Sequence, residues 1–331
     1  MASFLVTGGA GFIGSHLVEA LIARGDAVTV YDDVSTGTTA NLAAVSDHER
    51  LRFVRGNICD AYTVDELVRS HDVVMHMAAA VGVRLLMEQP LRSLTTNVQG
   101  CEHVIHSAAR YGRKLVYAST SEVYGKNTNV PLAETDDSVI GPPNITRWSY
   151  ALAKAVGEHV ALESARDRRL PAIVVRFFNT VGPRQSPAYG MVIPRFIRQA
   201  LDGRPITVHG DGSQRRCFCH VADSVRALLG LIDCPGAVGE VVNIGSQEEV
   251  SIEELAQRVA AQAGSTAGLE HVTHREVYGD GFEDMVRRVP DTRKIKRLIG
   301  WEPERDLDTI LRETMAEVSG RAPRAVPTPV G

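Results

Sequence analysis

A short apolar run, Ser3-Phe4-Leu5-Val6-Thr7, passes directly into Gly8-Gly9-Ala10-Gly11-Phe12-Ile13-Gly14, and a helical pattern follows from Ser15 to Ala23. Glycines at 8, 11 and 14 suit a strand-to-helix turn in which backbone approaches a pyrophosphate, faced by the free N–H groups and positive dipole end of the helix. The spacing is Gly-x-x-Gly-x-x-Gly, not the commoner Gly-x-Gly-x-x-Gly, and alone it would fit many glycine-rich turns. A second strand, Ala27-Val28-Thr29-Val30-Tyr31, ends in Asp32-Asp33, where a carboxylate would hold a ribose 2′-hydroxyl. Strand, turn, helix, strand and acid in that order predict a dinucleotide site. No arginine stands just beyond Asp32, and a 2′-phosphate there would face two carboxylates, so the expected cofactor is NAD and not NADP.

Strand and helix patterns alternate up to about Arg176, with further strands expected at Leu51-Arg52-Phe53-Val54, Val73-Val74-Met75-His76, Lys114-Leu115-Val116-Tyr117-Ala118 and Ala172-Ile173-Val174-Val175. Such alternation predicts an α/β fold: a Rossmann-type, doubly wound parallel sheet covered on both faces. After Asn179 the pattern loosens. Prolines at 183, 187 and 194 punctuate a loop, a helix is expected from Pro194 to Leu201, and glycines at 210 and 212 open another turn. These features predict a smaller lobe over the carboxyl ends of the sheet. Residues 321–331, with three prolines and no periodicity, read as a disordered tail.

At 331 residues and 44% hydrophobic, the chain has enough material for a sizeable core and two lobes. Its net charge of −4 leaves no electrostatic footprint for nucleic acid or an anionic membrane. The longest apolar stretch, 73–83, is interrupted by His76 and falls short of the roughly 18 residues that a membrane span needs. The first strand begins at once, without a signal-like segment, so a cytoplasmic location is expected. Five cysteines form no framework and fit reduced thiols. Cys217-Phe218-Cys219-His220 contains zinc-type ligands, but alternation along Arg216 to Val221 reads as one strand with the cysteines on one face and the histidine pointing away. With no second ligand pair elsewhere, no metal is expected.

Chemistry is most plainly written in Tyr150 and Lys154, four apart in a helical segment and so on one face. An ammonium held near a phenol favours the phenolate, making Tyr150 a general base close to neutrality. Thr120, Ser121 and Glu122 follow the strand ending at Ala118, which brings them to the carboxyl ends of the sheet. A strand-end threonine is ordinarily satisfied by local backbone; beside Tyr150 and Lys154 a catalytic Thr120 is the stronger reading.

These residues resemble the extended short-chain dehydrogenase/reductases that modify nucleotide-activated sugars. Landmarks extend over nearly the whole chain: Thr7 to Gly14, His76-Met77-Ala78-Ala79-Ala80, Thr96-Asn97-Val98, Ala118 to Gly125, Tyr150 and Lys154, Arg176 to Pro183, Gly210 to Arg216, and Leu298 to Pro303. The resemblance implies an NAD domain of residues 1–178 and 217–245 and a nucleotide-sugar lobe of 179–216 and 246–320. It implies NAD contacts from Gly8, Gly11, Phe12, Ile13, Gly14, Asp32, Asp33, Thr36, Asn57, Ile58, Ala78, Ala80, Asn97, Tyr150 and Lys154. Asn57 departs from the family's usual aspartate, although an amide oxygen also accepts from an adenine amino group. Substrate contacts implied are Thr120, Ser121, Glu122, Tyr150, Asn179, Met191, Val192, Arg216 and Arg288. Arginine suits phosphate through its planar fork, yet each arginine alone would also suit a surface ion pair, and Arg287 stands beside Arg288 as an alternative. The family pairs through the helix bearing Tyr150 and the one near Val98 to Tyr111, implying a homodimer.

In the family, Tyr150 would remove the C4 hydroxyl proton as hydride leaves the same carbon, and three fates of the 4-ketone follow. An epimerase needs little beyond Thr120, Tyr150 and Lys154. A dehydratase needs a base at C5, for which Glu122 is the candidate; most hexose 4,6-dehydratases pair it with aspartate, where this chain has Ser121, although GDP-mannose dehydratases resemble the Thr-Ser-Glu here. A decarboxylase loses a carboxylate β to the ketone, and that group places an arginine after the glycine aligning with Gly190, where this chain has Met191. A buried carboxylate without a partner costs several kcal/mol, so the expectation is a 4-epimerase, with the decarboxylase next. A non-catalytic NAD sensor on the same fold ranks lowest, because both Tyr150 and Lys154 are present.

Overall fold

The computed structural model describes residues 2–187, 191–278, 283, 285 and 287–320; the tail expected at 321–331 lies outside them. Its strands are β1 (Ser3–Thr7), β2 (Ala27–Asp32), β3 (Leu51–Arg55), β4 (Val73–His76), β5 (Lys114–Thr120), β6 (Ala172–Phe177), β7 (Thr180–Val181), β8 (Ile206–His209), β9 (Arg215–Cys217), β10 (Cys219–His220), β11 (Val241–Ile244), β12 (Glu249–Ser251), β13 (Leu269–Val272) and β14 (Arg287–Arg288). Helices are α1 (Phe12–Arg24), α2 (Ala61–Arg69), α3 (Val83–Glu88), α4 (Pro90–Tyr111), α5 (Ser149–Arg168), α6 (Val192–Leu201), α7 (Val221–Asp233), α8 (Ile252–Ala263), α9 (His274–Tyr278), α10 (Arg293–Ile299) and α11 (Leu307–Val318).

Seven strands form a parallel sheet in the order β11-β6-β5-β4-β1-β2-β3. Every residue of β4 and β6 is buried, as strands covered on both faces require, while edge strand β3 exposes Arg52 and Arg55. Alternation divides the core. Phe4 and Val6 join Leu17 and Leu21 of α1 and Leu228 of α7 on one face, whereas Leu5 meets Val68 of α2, Val104 of α4 and Ala161 of α5 on the other. The chain builds outward from β1 to β3, then crosses back to β4 on the other side of β1. That reversal opens a crevice at the carboxyl ends of β1 and β4.

A second core gathers Phe196 and Ile197 of α6, Ile206 and Val208 of β8, Leu255 and Val259 of α8, and Ile310 of α11. Short sheets β8-β13 and β12-β9-β14 complete this lobe. β11 returns to the main sheet and pairs with β6.

Several boundaries differ from those expected. α1 begins at Phe12, not Ser15, because extended Gly11 serves as its N-cap and its carbonyl accepts from Ser15 N at 3.1 Å. α6 begins at Val192, with Pro194 tolerated in the first turn, where a missing N–H costs nothing. The run from Arg216 to Val221 is not one strand. Cys217 pairs with Glu249 in β12 and Cys219 with Thr180 in β7, so Phe218 separates two ladders. His220 is buried like both cysteines, and its Nδ1 accepts from Ala222 N to cap α7. Among the described residues no group of three or more His, Cys, Asp and Glu side chains could hold a metal ion, and no helix is long and apolar enough to cross a membrane.

A buried ionic junction ties β5 and α5, which carry Thr120, Tyr150 and Lys154, to β6. Arg176 of β6 gives Nε and Nη2 to the Glu158 carboxylate of α5 at 2.9 and 2.7 Å, and Ser119 Oγ of β5 donates to the same group at 2.5 Å. All three residues are buried, and Arg176 also lies 4.7 Å from the Tyr124 ring centroid. Removing one partner leaves the other charge buried and uncompensated. Glu158→Ala should therefore destabilise the fold by about 3–5 kcal/mol in urea titrations; a midpoint equal to that of the parent protein would refute the junction's role.

Candidate active site

The glycine turn closes against its neighbours as tightly as its sequence requires. Gly8 has φ +71°, and a Cβ there would lie 2.6 Å from Ala78 N; a Cβ on Gly14 would lie 2.1 Å from Gly8 O. Gly11 differs, since an added Cβ would meet only Gly8 O, at 3.1 Å, leaving its other side to the cleft that it lines. Thr7 Oγ1 and His76 Nδ1, at the ends of β1 and β4, are 2.7 Å apart and brace the crevice from below. Burial, with help from the Lys154 charge, pushes the His76 imidazole down to about 3, so this brace stays neutral.

Of the residues expected at the cofactor, Gly8, Gly11, Phe12, Ile13, Gly14, Asp32, Asp33, Thr36, Ile58, Ala78, Ala80, Tyr150 and Lys154 line one continuous cleft. Asp32 is fixed by Ala10 N on Oδ2 at 2.9 Å and Val34 N on Oδ1 at 2.8 Å, and burial raises its pKa above the ordinary carboxylate value. Two expected contacts stand back from the lining. Asn57 spends its amide on Asp33 Oδ2 and Cys59 N, both at 2.9 Å. Asn97 exchanges two 2.9 Å hydrogen bonds with the Ala80 backbone and so shapes the loop after β4. A glycine cradle, an acid at the end of β2 and a shaped β4 loop fit an NAD molecule laid across the switch point.

Toward β5 the same cleft is lined by Thr120, Glu122, Tyr150, Lys154, Asn179, Met191 and Arg288. Thr120 Oγ1 accepts from Glu122 N at 3.2 Å, capping the turn Ser121–Tyr124 while still facing the cleft. Lys154 shares the cleft with Tyr150, and its ammonium has a partner that the four-residue spacing did not indicate. Its Nζ donates to Ala118 O at 2.8 Å and lies 4.9 Å from the Tyr117 ring centroid. Burial lowers the Lys154 ammonium to about 8, opposed by Cys101 and Glu158. Tyr150 moves opposite to expectation: burial raises its phenol well above the ordinary value, Glu122 raises it further, and Arg147 opposes both. Helical spacing placed both groups on the cleft but could not show the carbonyl that competes for the ammonium.

Glu122 is the most heavily engaged group here. Arg147, which the sequence reading missed, sets both Nη atoms on its carboxylate, Nη2 at 3.0 Å from Oε1 and Nη1 on Oε2. Arg288 Nη1 stands 3.8 Å from Glu122 Oε1, 3.4 Å from Ser121 Oγ and 3.5 Å from Asn179 Oδ1. Asn179, at φ +36°, is anchored by its Nδ2 on Cys217 O at 2.8 Å. Arg216 is buried on β9 beside Arg288 of β14 but does not line the cleft, and neither does Val192, at the start of α6. Arg287 points elsewhere, to Glu249 at 2.6 and 2.8 Å. The available signal for Arg147 was its place three residues before Tyr150.

A parallel sheet with a glycine turn, a terminal acid and a Tyr/Lys helix around one crevice defines an NAD-binding Rossmann protein of the extended short-chain dehydrogenase/reductase type. Residues 4–245 match the NAD dependent epimerase/dehydratase family, and the chain belongs to it. It is 41% identical over 94% of its length, and 96% of the relative's, to a UDP-N-acetyl-alpha-D-glucosaminuronate decarboxylase of Bacillus cytotoxicus. Among solved structures it resembles a Streptomyces venezuelae dTDP-glucose 4,6-dehydratase with NAD bound, at 32% identity, 96% and 97% coverage and TM-score 0.86. It also resembles a Bacillus cereus UDP-glucuronic acid 4-epimerase in complex with UDP-glucuronic acid and NAD, at 28% identity, 96% and 99% coverage and TM-score 0.85. The protein is thus an NAD-dependent enzyme of the nucleotide-sugar epimerase, decarboxylase and dehydratase group.

Asp32 should decide cofactor choice. Asp32→Ala is expected to weaken NAD far more than NADP in calorimetric titrations, and equal affinities in the parent protein would overturn its assignment to the ribose 2′-hydroxyl.

Proposed function

We propose that this protein removes the carboxyl group of a nucleotide-activated hexuronate through a 4-keto intermediate. The observation that carries this reading is Arg288 beside Glu122 on the wall of the cleft that also holds Tyr150. Inversion at C4 asks only for groups that move one proton and support one hydride transfer. Loss of a carboxyl group asks in addition for something to meet that group and something to manage the proton at C5. Arg288 and Glu122 are suited to those two tasks. The 41% identity to a hexuronate-nucleotide decarboxylase across almost both chains supports the same reading.

NAD, when bound, supplies the acceptor for the C4 hydride and returns it at the end. Tyr150 takes the O4 proton, with Thr120 holding the same oxygen. With the ketone formed, the C5–C6 bond breaks and its electrons pass to O4, where Tyr150 and Thr120 lie; carbon dioxide leaves. A proton from solvent then reaches C5, for which Glu122 on the cleft wall would be the relay, and Tyr150 returns its proton to O4. Met191 takes on a different meaning in this scheme. It offers the carboxylate no charge, so Arg288 on the same cleft would be the group that meets it.

Met191 also favours a second reading, 4-epimerisation of a neutral hexose, since an apolar side chain suits a sugar without a carboxylate. The product separates the two. Given UDP-N-acetylglucosaminuronate, UDP-glucuronate and the corresponding neutral UDP-hexoses, the protein should convert a uronate into a nucleotide-activated pentose lighter by one carbon dioxide, seen by mass spectrometry and NMR. A product of unchanged mass inverted at C4, formed faster than any lighter one, would replace this reading with the epimerase.

Tyr150→Phe should lower turnover by about 10²–10⁴ while leaving NAD binding nearly intact. A loss smaller than about tenfold, with chemistry rate-limiting, would remove Tyr150 from the role of acid/base.

A further inference from the structure

Arg147 occupies the turn Thr146–Trp148 immediately before α5, three residues ahead of Tyr150. Its side chain is 4% exposed and does not line the cleft, so a bound sugar would touch Glu122 and Tyr150 but not Arg147. Both Nη atoms nevertheless meet the Glu122 carboxylate, and the guanidinium carbon lies 5.9 Å from the centroid of the Trp148 ring, itself buried. A planar fork paired to both oxygens fixes the rotation of a carboxylate as well as its place, which a lysine or a single hydrogen bond would not do.

We propose that Arg147 is a positioning residue that locks the Glu122 carboxylate onto the wall of the cleft and cancels its charge beside Tyr150. The inference rests on the reading of Tyr150 as the base for sugar oxidation and is indifferent to what happens to the ketone afterwards. Among the described residues, the charged and titratable groups around Tyr150 are Glu122 from the turn after β5, Arg147 from the turn before α5, Lys154 from α5, Arg288 from β14 and Tyr117 from β5. Lys154 is directed to Ala118 O, and Arg288 stands 3.8 Å from Glu122, farther than Arg147. Among the described residues Arg147 is thus the closest countercharge to Glu122. Without it, Glu122 would face the phenol less compensated, and Tyr150 would surrender its proton only at higher pH.

The sign fixes the test. Tyr150 must lose its proton to act, so the rate of sugar oxidation rises with pH through the tyrosine pKa, which the positive charge of bound NAD would bring below the value that burial alone sets. In single-turnover experiments with NAD-loaded protein, followed by the absorbance of the reduced cofactor, Arg147→Met should move that rising limb upward by about one pH unit or more. Arg147→Lys, which keeps the charge without the fork, should return part of the shift. Arg147→Met combined with Glu122→Gln removes both charges and should bring the limb back toward its parent position, even if the rate stays low. A purely structural Arg147 gives another pattern: a slower or less stable enzyme with the limb unmoved, or a double variant no nearer the parent than the single one. Either result overturns the proposal. A limb that persists unmoved in Tyr150→Phe would instead remove the tyrosine assignment, and this proposal with it. Because the readout stops at oxidation, a protein that epimerises instead of decarboxylating reports equally well.

Discussion

The relation between Thr120 and Tyr150 depends on one carboxylate that neither residue touches. Glu158 lies more than two turns beyond Tyr150 on α5, where it receives Arg176 from β6 and Ser119 from β5. An ion pair removed from water gains little net stability over a well-packed apolar alternative, but it is intolerant of displacement, because any slip exposes a buried charge to an apolar surrounding. That intolerance suits a helix that must present Tyr150 to a strand end at fixed height. Gly157, one residue earlier, permits the close approach: a Cβ there would lie 2.1 Å from Tyr117 Oη.

Around this junction the cleft combines two kinds of polar group. The brace of Thr7 and His76 and the cap of Thr120 on Glu122 N are neutral and local. Glu122, Arg147, Arg288 and Lys154 bring charge into a largely buried region, where each alters the acidity of its neighbours more than it would at a surface. The opposing movements of Tyr150 and Lys154, one raised and one lowered by burial, follow from that environment.

Much of this was legible in the sequence because its signals are local. Gly8 to Gly14, Asp32, and the apolar strands of the sheet are specified by short-range sterics and alternation, and the α/β architecture followed from them. Other features depend on residues far apart in the chain. Arg147 meets Glu122 across 25 positions and Arg288 meets Ser121 across 167, separations at which a single sequence carries no periodicity to read. The partner of the Lys154 ammonium was hidden for a related reason: spacing defines a face, while the Ala118 carbonyl that accepts from it belongs to a strand. The broken strand at Phe218 was likewise invisible, because alternation continues through it while the partner changes from β12 to β7.

The return of β11 to the main sheet has a consequence for synthesis on the ribosome. β6 carries six buried residues and gains its outer neighbour only when Val241–Ile244 has emerged, after α6, β8, β9 and α7 have already been made. Until then the nascent sheet ends in an apolar strand with unpaired backbone groups, the kind of edge that recruits other chains. The order of segments therefore postpones closure of the dinucleotide-binding half until most of the polypeptide exists, and makes its solubility during translation a property of the whole chain.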